Sequence, residues 1–185
     1  MQRVTDLAHL VLRNAIKPGA VVIDATVGNG HDTRFLAELV GQTGRVFGFD
    51  VQESALAASR ERLDGLPNVT MFHAGHERLI EHIPDDARKR IAAVMFNLGY
   101  LPSGNKEIMT RADTTLAGLG QALACLQSGG LVTMVLYPGH PGGNDEAEAV
   151  RAFARRLPAG FTAHHTARIN SLNPAPELLV IERAG

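Results

Sequence analysis

The sequence predicts an α/β domain on a doubly wound, mostly parallel sheet of seven strands, with a C-terminal antiparallel hairpin at one edge. Three observations carry that prediction. Short apolar runs rich in β-branched residues alternate with helical patterns from Val21 to about Leu157, the rhythm of parallel strands joined by crossover helices. The stretch VVIDATVGNGHDTRFLAELVGQTGRVFGFD, Val21 to Asp50, reads strand, glycine loop, helix, strand, acid, which is one nucleotide-binding half of such a sheet. The last two strand-like runs, Phe161–Ile169 and Glu177–Glu182, have no helix between them, so they must pair antiparallel.

Bulk properties bound the reading. The 185 residues suit a single domain, 1–185, and leave too little chain for two comfortable ones. No apolar run reaches the roughly 18 residues of a membrane helix. The first segment carries Asp6, His9 and Arg13 inside its apolar pattern, so it reads as an amphipathic helix and not a signal peptide; a cytoplasmic location is the expectation. The net charge of −1 gives no basic domain, so RNA binding needs a local patch, a small target or a homodimer that pools charge. Arg88-Lys89-Arg90 and Arg151/Arg155/Arg156 are candidate patches, with solvated helix ends as the plainer reading.

The elements follow in order. Residues 3–15 form a helix with Val4, Leu7, Leu10 and Val11 on one side, stopped by Lys17-Pro18-Gly19. Val21–Ile23 has the apolar text of a strand buried on both faces and ends in Asp24. Gly28-Asn29-Gly30 turns tightly and brings backbone close to a ligand. Asp32 or Thr33 is expected to cap the next helix, with Phe35, Leu36 and Leu39 on its inner face. Arg45–Phe49 is the second strand, ending in Asp50; a helix over 53–63 and the turn Leu66-Pro67-Asn68 lead to the third, Val69–Phe72. His73-Ala74-Gly75-His76 and a helix over 77–82 precede the fourth strand, Ile91–Phe96. Thr110 to Asp113 resembles a capping box opening a helix to about Gln127, with Leu116, Leu119, Leu123 and Leu126 buried. Gly118 and Gly120 are expected where that helix packs closely on the sheet, and Ser128-Gly129-Gly130 should end it. Leu131–Tyr137 is the fifth strand, and 145–157 is a further helix before the hairpin.

The glycine loop selects among nucleotides. A dinucleotide fold wants G-x-G-x-x-G, so that a pyrophosphate sits on the helix N-terminus. Here Thr33 takes the third glycine position, and Asp24 and Asp32 would oppose a pyrophosphate. S-adenosylmethionine (SAM) has no phosphate, and its sulfonium and α-ammonium suit nearby carboxylates. A nicotinamide or flavin nucleotide, or a loop that merely turns the chain, are the alternatives. Five parallel strands and a final hairpin are also what a class I (Rossmann-like) methyltransferase has. On the SAM reading, Asp24, Gly28, Asn29, Gly30, Asp32 and Thr33 cradle the methionine part. Asp50 binds ribose hydroxyls, Gln52 and His76 lie near the adenine, and Asn97 borders the cofactor.

Ligands in open α/β sheets bind beyond the carboxyl ends of the strands, and the polar residues gather there. Asn97-Leu98-Gly99-Tyr100 ends the fourth strand and is similar to the Asn-Pro-Pro-Tyr signature of methyltransferases that act on amino groups. Methyl transfer is an in-line displacement, so positioning dominates. The Asn97 oxygen and the Leu98 carbonyl can accept an amine's hydrogens and aim its lone pair, while Tyr100 can stack on a flat base. An ordinary polar turn is the competing reading. His140, in a loop of glycines and prolines, is a candidate proton acceptor, since an unperturbed imidazole titrates near about 6.5; a loop-fixing role competes. His73 and His76 read equally as adenine contacts or structural histidines, His164-His165 as surface, and Lys106 as an anion contact or a solvated lysine. Cys125 lies in a helical pattern and reads as core, leaving no thiolate for covalent attack on a pyrimidine and no cysteine-based metal site. A substrate nitrogen or oxygen is therefore the expected acceptor.

Together DATVGNGHDTRFLA (24–37), FDVQ (49–52), HAGH (73–76), NLGYLPSGNK (97–106), TRADTTLAGL (110–119), YPGHPGG (137–143) and NPAPELLVIER (173–183) resemble the small bacterial family of putative rRNA methylases. The chain is similar in particular to the tRNA 5-aminomethyl-2-thiouridine methyltransferases of Gram-positive bacteria. The match runs nearly the whole chain in order, and NLGYLP with YPGHPGG is not generic to SAM enzymes. The resemblance implies the class I methyltransferase fold, SAM as cofactor and tRNA as partner. It also implies methylation of the exocyclic amine of 5-aminomethyl-uridine at the wobble position. The family's usual NLGYLPGGDK stands here as NLGYLPSGNK, Ser103 and Asn105 replacing Gly and Asp; this bears on the substrate and not on SAM. Ribosomal RNA or a small-molecule amine are alternative substrates. A non-catalytic nucleotide- or RNA-binding module and a dinucleotide oxidoreductase are rival functions.

Overall fold

A computed structural model describes residues 3–99 and 109–185. Five parallel strands, β1 (Val21–Asp24), β2 (Arg45–Asp50), β3 (Val69–His73), β4 (Ile91–Asn97) and β5 (Leu126–Leu136), are followed by β6 (Phe161–Thr166) and β7 (Glu177–Arg183). The sheet order is β3-β2-β1-β4-β5-β7-β6. β7 lies antiparallel to both β5 and β6, as a hairpin without a crossover helix requires. The order reverses between β1 and β4, and an open sheet forms its ligand crevice at such a switch point.

Successive residues of a strand face opposite sides, and in the central strands both sides are buried. Ile23, Phe49, Phe96 and Met134 pack toward α4 (Leu79–His82), α5 (Ala112–Cys125) and α6 (Gly143–Ala154). Val22, Val46, Met95 and Val135 pack toward α1 (Val4–Ala15) and α2 (His31–Val40). Each such side chain contributes roughly 1.5–3 kcal/mol by leaving water, so this two-sided burial is what fixes the strand ends. A further helix, α3 (Glu53–Arg62), contacts α2, β2 and β3.

Several local expectations shift. In α1 the buried positions are Ala8 and Leu12, while Leu10 stands half exposed. The cap of α2 is Gly30 in the left-handed region, φ 78° and ψ 12°, with no side-chain cap; Asp32 and Thr33 sit inside the first turn, free for other bonds. The residue at the cap of α5 is Arg111, not Thr110. That helix ends at Cys125 because Leu126 is extended (φ −60°, ψ 137°) and already pairs with Ile91. Ser128-Gly129-Gly130 is therefore a bulge inside β5: the register runs from Ile91↔Leu126 to Ala93↔Leu131, and Gly129 has φ 71°. A side chain at Gly130 would meet the Ile91 carbonyl at 2.9 Å. β6 stops at Thr166 and α6 at Ala154, each three residues earlier than the sequence pattern suggests.

The two glycines of α5 do different things. A Cβ at Gly118 would lie 2.7 Å from His76 Cδ2 and 3.0 Å from the His76 carbonyl oxygen, so this glycine admits the turn His76–Arg78 and not the sheet. A Cβ at Gly120 would meet nothing within 4 Å among the described residues. Gly118→Ala should lose about 1–3 kcal/mol by overpacking. Gly120→Ala should gain about 0.5–1 kcal/mol from helix propensity alone. Urea unfolding of both variants checks the opposite signs.

Candidate active site

A cleft of about 730 Å³ opens at the carboxyl ends of β1, β2, β4 and β5. Its floor is the glycine loop. Gly28 has φ 51°, and its N–H donates to Asp50 Oδ2 at 2.8 Å. The other oxygen of Asp50 accepts the Gln52 N–H at 2.8 Å. One carboxylate thus ties the loop of β1 to the end of β2, and it lines the cleft. Gly28, Asn29, Asp32, Asp50, Gln52, His76, Asn97 and His140 all line the cleft, bringing together most of the residues singled out in the sequence. Tyr100 lies outside the described residues, as do Ser103, Asn105 and Lys106.

Asp24, Gly30 and Thr33 stand behind the wall instead of on it. Asp24 is fully buried. It accepts the Thr33 hydroxyl at 2.6 Å and the Thr26 N–H at 3.1 Å, so it welds the end of β1 to the first turn of α2. Burial, and then the nearby charge of Asp32, push its carboxyl up to about 7. Gly30 packs on α3, where a Cβ would come within 2.8 Å of Ser59 Cβ.

Asn97 is held at several points. Its backbone N–H donates to Thr26 Oγ1 at 2.7 Å, and its Nδ2 donates to Asp32 Oδ2 at 3.1 Å. Its side chain also hydrogen-bonds with Tyr137. A carboxylate only accepts, so Asp32 faces the amide nitrogen and turns Asn97 Oδ1 away from itself. Asp32 is in turn held by His9 of α1, whose Nε2 lies 2.8 Å from Oδ1. Burial first, then the charge of Asp32, push the Tyr137 phenol up, keeping it a neutral donor.

His76 is buried, and its Nδ1 bonds to the Ala25 carbonyl at 3.2 Å. A carbonyl only accepts, so the proton sits on Nδ1 and Nε2 is the acceptor. Nε2 is buried without a partner among the described residues. Burial pushes this imidazole's pKa down, which keeps it neutral. His140 bonds through Nδ1 to the Pro141 carbonyl at 3.1 Å, which assigns its acceptor lone pair to Nε2. That nitrogen packs on Gly99, where a Cβ would approach it to 3.2 Å and where φ is 115°. Behind them, Thr110 accepts the Gly99 N–H at 2.8 Å and donates to Glu146 Oε2 at 2.9 Å. Glu146 is buried and also accepts Thr115 Oγ1 at 2.7 Å.

Other candidates lie elsewhere. His73 does not line the cleft itself but bonds to the carbonyl of Val51, which does, and His165 pairs with Glu177. Arg151 and Arg155 are engaged by Glu148, and Arg151 also by Glu177. Cys125 is buried, and burial pushes its thiol up. Among the described residues no group of three His, Cys, Asp or Glu could hold a metal ion, and no helix is long and apolar enough to cross a membrane. Sequence reasoning missed His9, Thr26, Tyr137, Thr110 and Glu146 as parts of the site. Tyr137 follows β5 and was open to the same strand-end argument as Asn97. The others reach the site from helix interiors and loops, where no local pattern marks them.

Three comparisons bear on this geometry. Residues 46–182 match the family model described as "Putative rRNA methylase". The chain is 42% identical over 168 residues to the tRNA (mnm(5)s(2)U34)-methyltransferase, chloroplastic, of Arabidopsis thaliana, covering 85% of this chain and 61% of that protein; it thus spans less than two thirds of that relative. A "putative rRNA-methylase" from Clostridium thermocellum superposes with a TM-score of 0.93 at 40% identity, covering 99% of this chain and 98% of that one. A "putative methyltransferase" from Streptococcus mutans, solved in complex with SAH, gives 0.87 at 34% identity, covering 99% of both chains.

The buried Asp24 makes stability depend on pH with a definite sign. Its carboxyl rises from 3.8 to about 7 on folding, so the folded chain holds this proton more tightly than the unfolded one. Its contribution is greatest below pH 3.8, declines as pH rises toward about 7, and is level above. The slope is at most about 1.4 kcal/mol per pH unit. Asp24→Asn keeps an acceptor and a neutral side chain, so it should be less affected between pH 5 and pH 8 than the parent. Denaturant midpoints of both proteins across that range check this.

Proposed function

This chain belongs to the family described as "Putative rRNA methylase", and from that premise we propose that it is a SAM-dependent methyltransferase acting on RNA. We infer more finely that it methylates the exocyclic amine of 5-aminomethyl-(2-thio)uridine at the tRNA wobble position. One observation carries the amine: Asn97, held by Thr26 and Asp32, turns its amide oxygen away from the acid in the cleft. The Arabidopsis relative's name supports the wobble uridine, and the SAH bound in the Streptococcus mutans structure supports the cofactor.

The cleft fits SAM on its own chemistry. Asp50 offers carboxylate lone pairs for ribose hydroxyls, and Asp32 offers negative charge for an ammonium. His76 Nε2 is a buried acceptor awaiting a donor, which an exocyclic amino group would supply. Gln52, Gly28 and Asn29 complete the wall. When bound, the cofactor supplies an electrophilic methyl group on sulfur.

The chain's own residues do the rest. Asn97 Oδ1 and the Leu98 carbonyl accept the hydrogens of the incoming amine and point its lone pair, work worth as much as the entropy of orientation. A free alkylamine is mostly protonated at neutral pH, so one proton must leave before attack. His140, which lines the cleft, is the candidate acceptor for it. Tyr137 is the described aromatic beside Asn97 and offers a face to a flat base.

Labelled methyl transfer to tRNA from cells lacking this gene, followed by nucleoside mass spectrometry, tests the reading. The expected product is one added methyl on 5-aminomethyl-type uridine, with a rate that rises with pH through the pKa of the bound amine. Asn97→Ala should lower kcat about a hundredfold or more. Label in ribosomal RNA alone, or in small amines alone, would replace the tRNA substrate.

A further inference from the structure

We propose that His9 is a positioning residue for methyl transfer, acting on Asn97 through Asp32; this rests on the role of Asn97 just given. His9 belongs to α1, outside the nucleotide-binding half and outside every strand end. Its Nε2 donates to Asp32 Oδ1 at 2.8 Å while Asn97 Nδ2 donates to Oδ2 at 3.1 Å. The carboxylate is thereby held at both oxygens, one from each side. The His9 and Asp32 side chains are only 25% and 14% exposed, and in such shelter a hydrogen bond to a charged group is roughly twice as strong as a neutral one.

The ring itself has little freedom. It stacks on Phe35 of α2, centroids 3.9 Å apart and planes 10° apart. The Arg13 guanidinium also lies over Phe35, 5.1 Å from its centroid. Phe35 therefore sets the imidazole plane, the imidazole sets the Asp32 carboxylate, and the carboxylate sets which end of the Asn97 amide faces it. Turning that amide over would bring Oδ1 against a carboxylate oxygen, acceptor against acceptor. A docking role alone does not need this bond: Ala8 and Leu12 already bury α1 against the sheet. Without His9, Asp32 keeps one donor, and its side chain is free to rotate toward any ammonium that enters the cleft.

Two variants separate positioning from structure. His9→Phe keeps an aromatic ring for Phe35 and loses the donor; His9→Gln loses the ring and retains an amide donor at similar reach. His9→Phe should lower kcat on tRNA about tenfold, and His9→Gln should recover most of the loss. In parallel, the Asn97 side-chain amide pair in a nitrogen–proton correlation spectrum, identified by its absence in Asn97→Ala, should shift in His9→Phe and return toward its place in His9→Gln. Wild-type kcat with an unmoved Asn97 amide in His9→Phe would overturn the proposal. So would a fall in kcat that tracks lost thermal stability and is not recovered by His9→Gln. If the parent methylates no tRNA, the substrate reading fails, while the Asn97 amide pair still decides whether His9 orders it.

Discussion

The buried carboxylate of Asp24 is the bond on which the rest of the site depends. It accepts from Thr26 and Thr33 together, so the end of β1, the glycine loop and the start of α2 move as one piece. Thr26 then accepts the Asn97 N–H, which registers the end of β4 against that piece. Asp32, one residue before Thr33 in the same turn, holds the Asn97 side chain. The residue read as aiming the substrate is thus located by bonds that all lead back to one acid with no exposed surface. That acid need not touch a ligand to matter, because every distance in the cleft is measured from the loop it holds.

Electrostatics gives the same arrangement a sign. Asp24, Asp32 and Asp50 converge on a short loop, and the charges of both Asp32 and Asp50 raise Asp24. Three like charges in one place oppose folding unless protons or cations offset them. A phosphate at this loop would add to the repulsion, whereas a sulfonium and an ammonium would relieve it. The neutral side of the cleft is equally deliberate. His76 is pushed toward its neutral form by burial, and the Tyr137 phenol is kept protonated by burial and by Asp32. Acids and neutral donors and acceptors thus share one cleft.

Much of this was legible in the sequence because it follows from local chemistry. The apolar text of β1, β2, β4 and β5 demands burial, and the cleft lies at their carboxyl ends, so Asp50, Asn97 and His140 could be placed on it without coordinates. The cap of α2 was not legible. Gly30 takes the left-handed conformation there, which frees Asp32 and Thr33 to bond sideways, and an Asp-Thr pair at a helix start gives no sign of that choice. Thr110 misled in the same way: its hydroxyl fits a capping box but is spent between Gly99 and Glu146. Ser128-Gly129-Gly130 has the composition of a helix stop and acts as a bulge, because strand pairing with Ile91 begins before it. In each case a long-range partner outbid the local one, and such partners leave no spacing to read.

The C-terminal hairpin shows why the final strands are part of the site and not a mere edge. β7 inserts between β5 and β6, so the segment joining β6 to β7 returns to the carboxyl end of β5. Pro174 and Pro176 from that segment line the cleft. The Pro174 carbonyl lies so near Gly139 that a Cβ there would stand 3.0 Å from it. The loop carrying His140 is therefore pressed between Gly99 on one side and the hairpin segment on the other. Ile169 and Leu172 of the same segment are fully exposed, and Arg3 and Arg111 also line the cleft. The two halves of the sheet divide the cleft: β1 and β2 set the loop and its acids, while β4, β5 and the hairpin segment shape the rest of its lining.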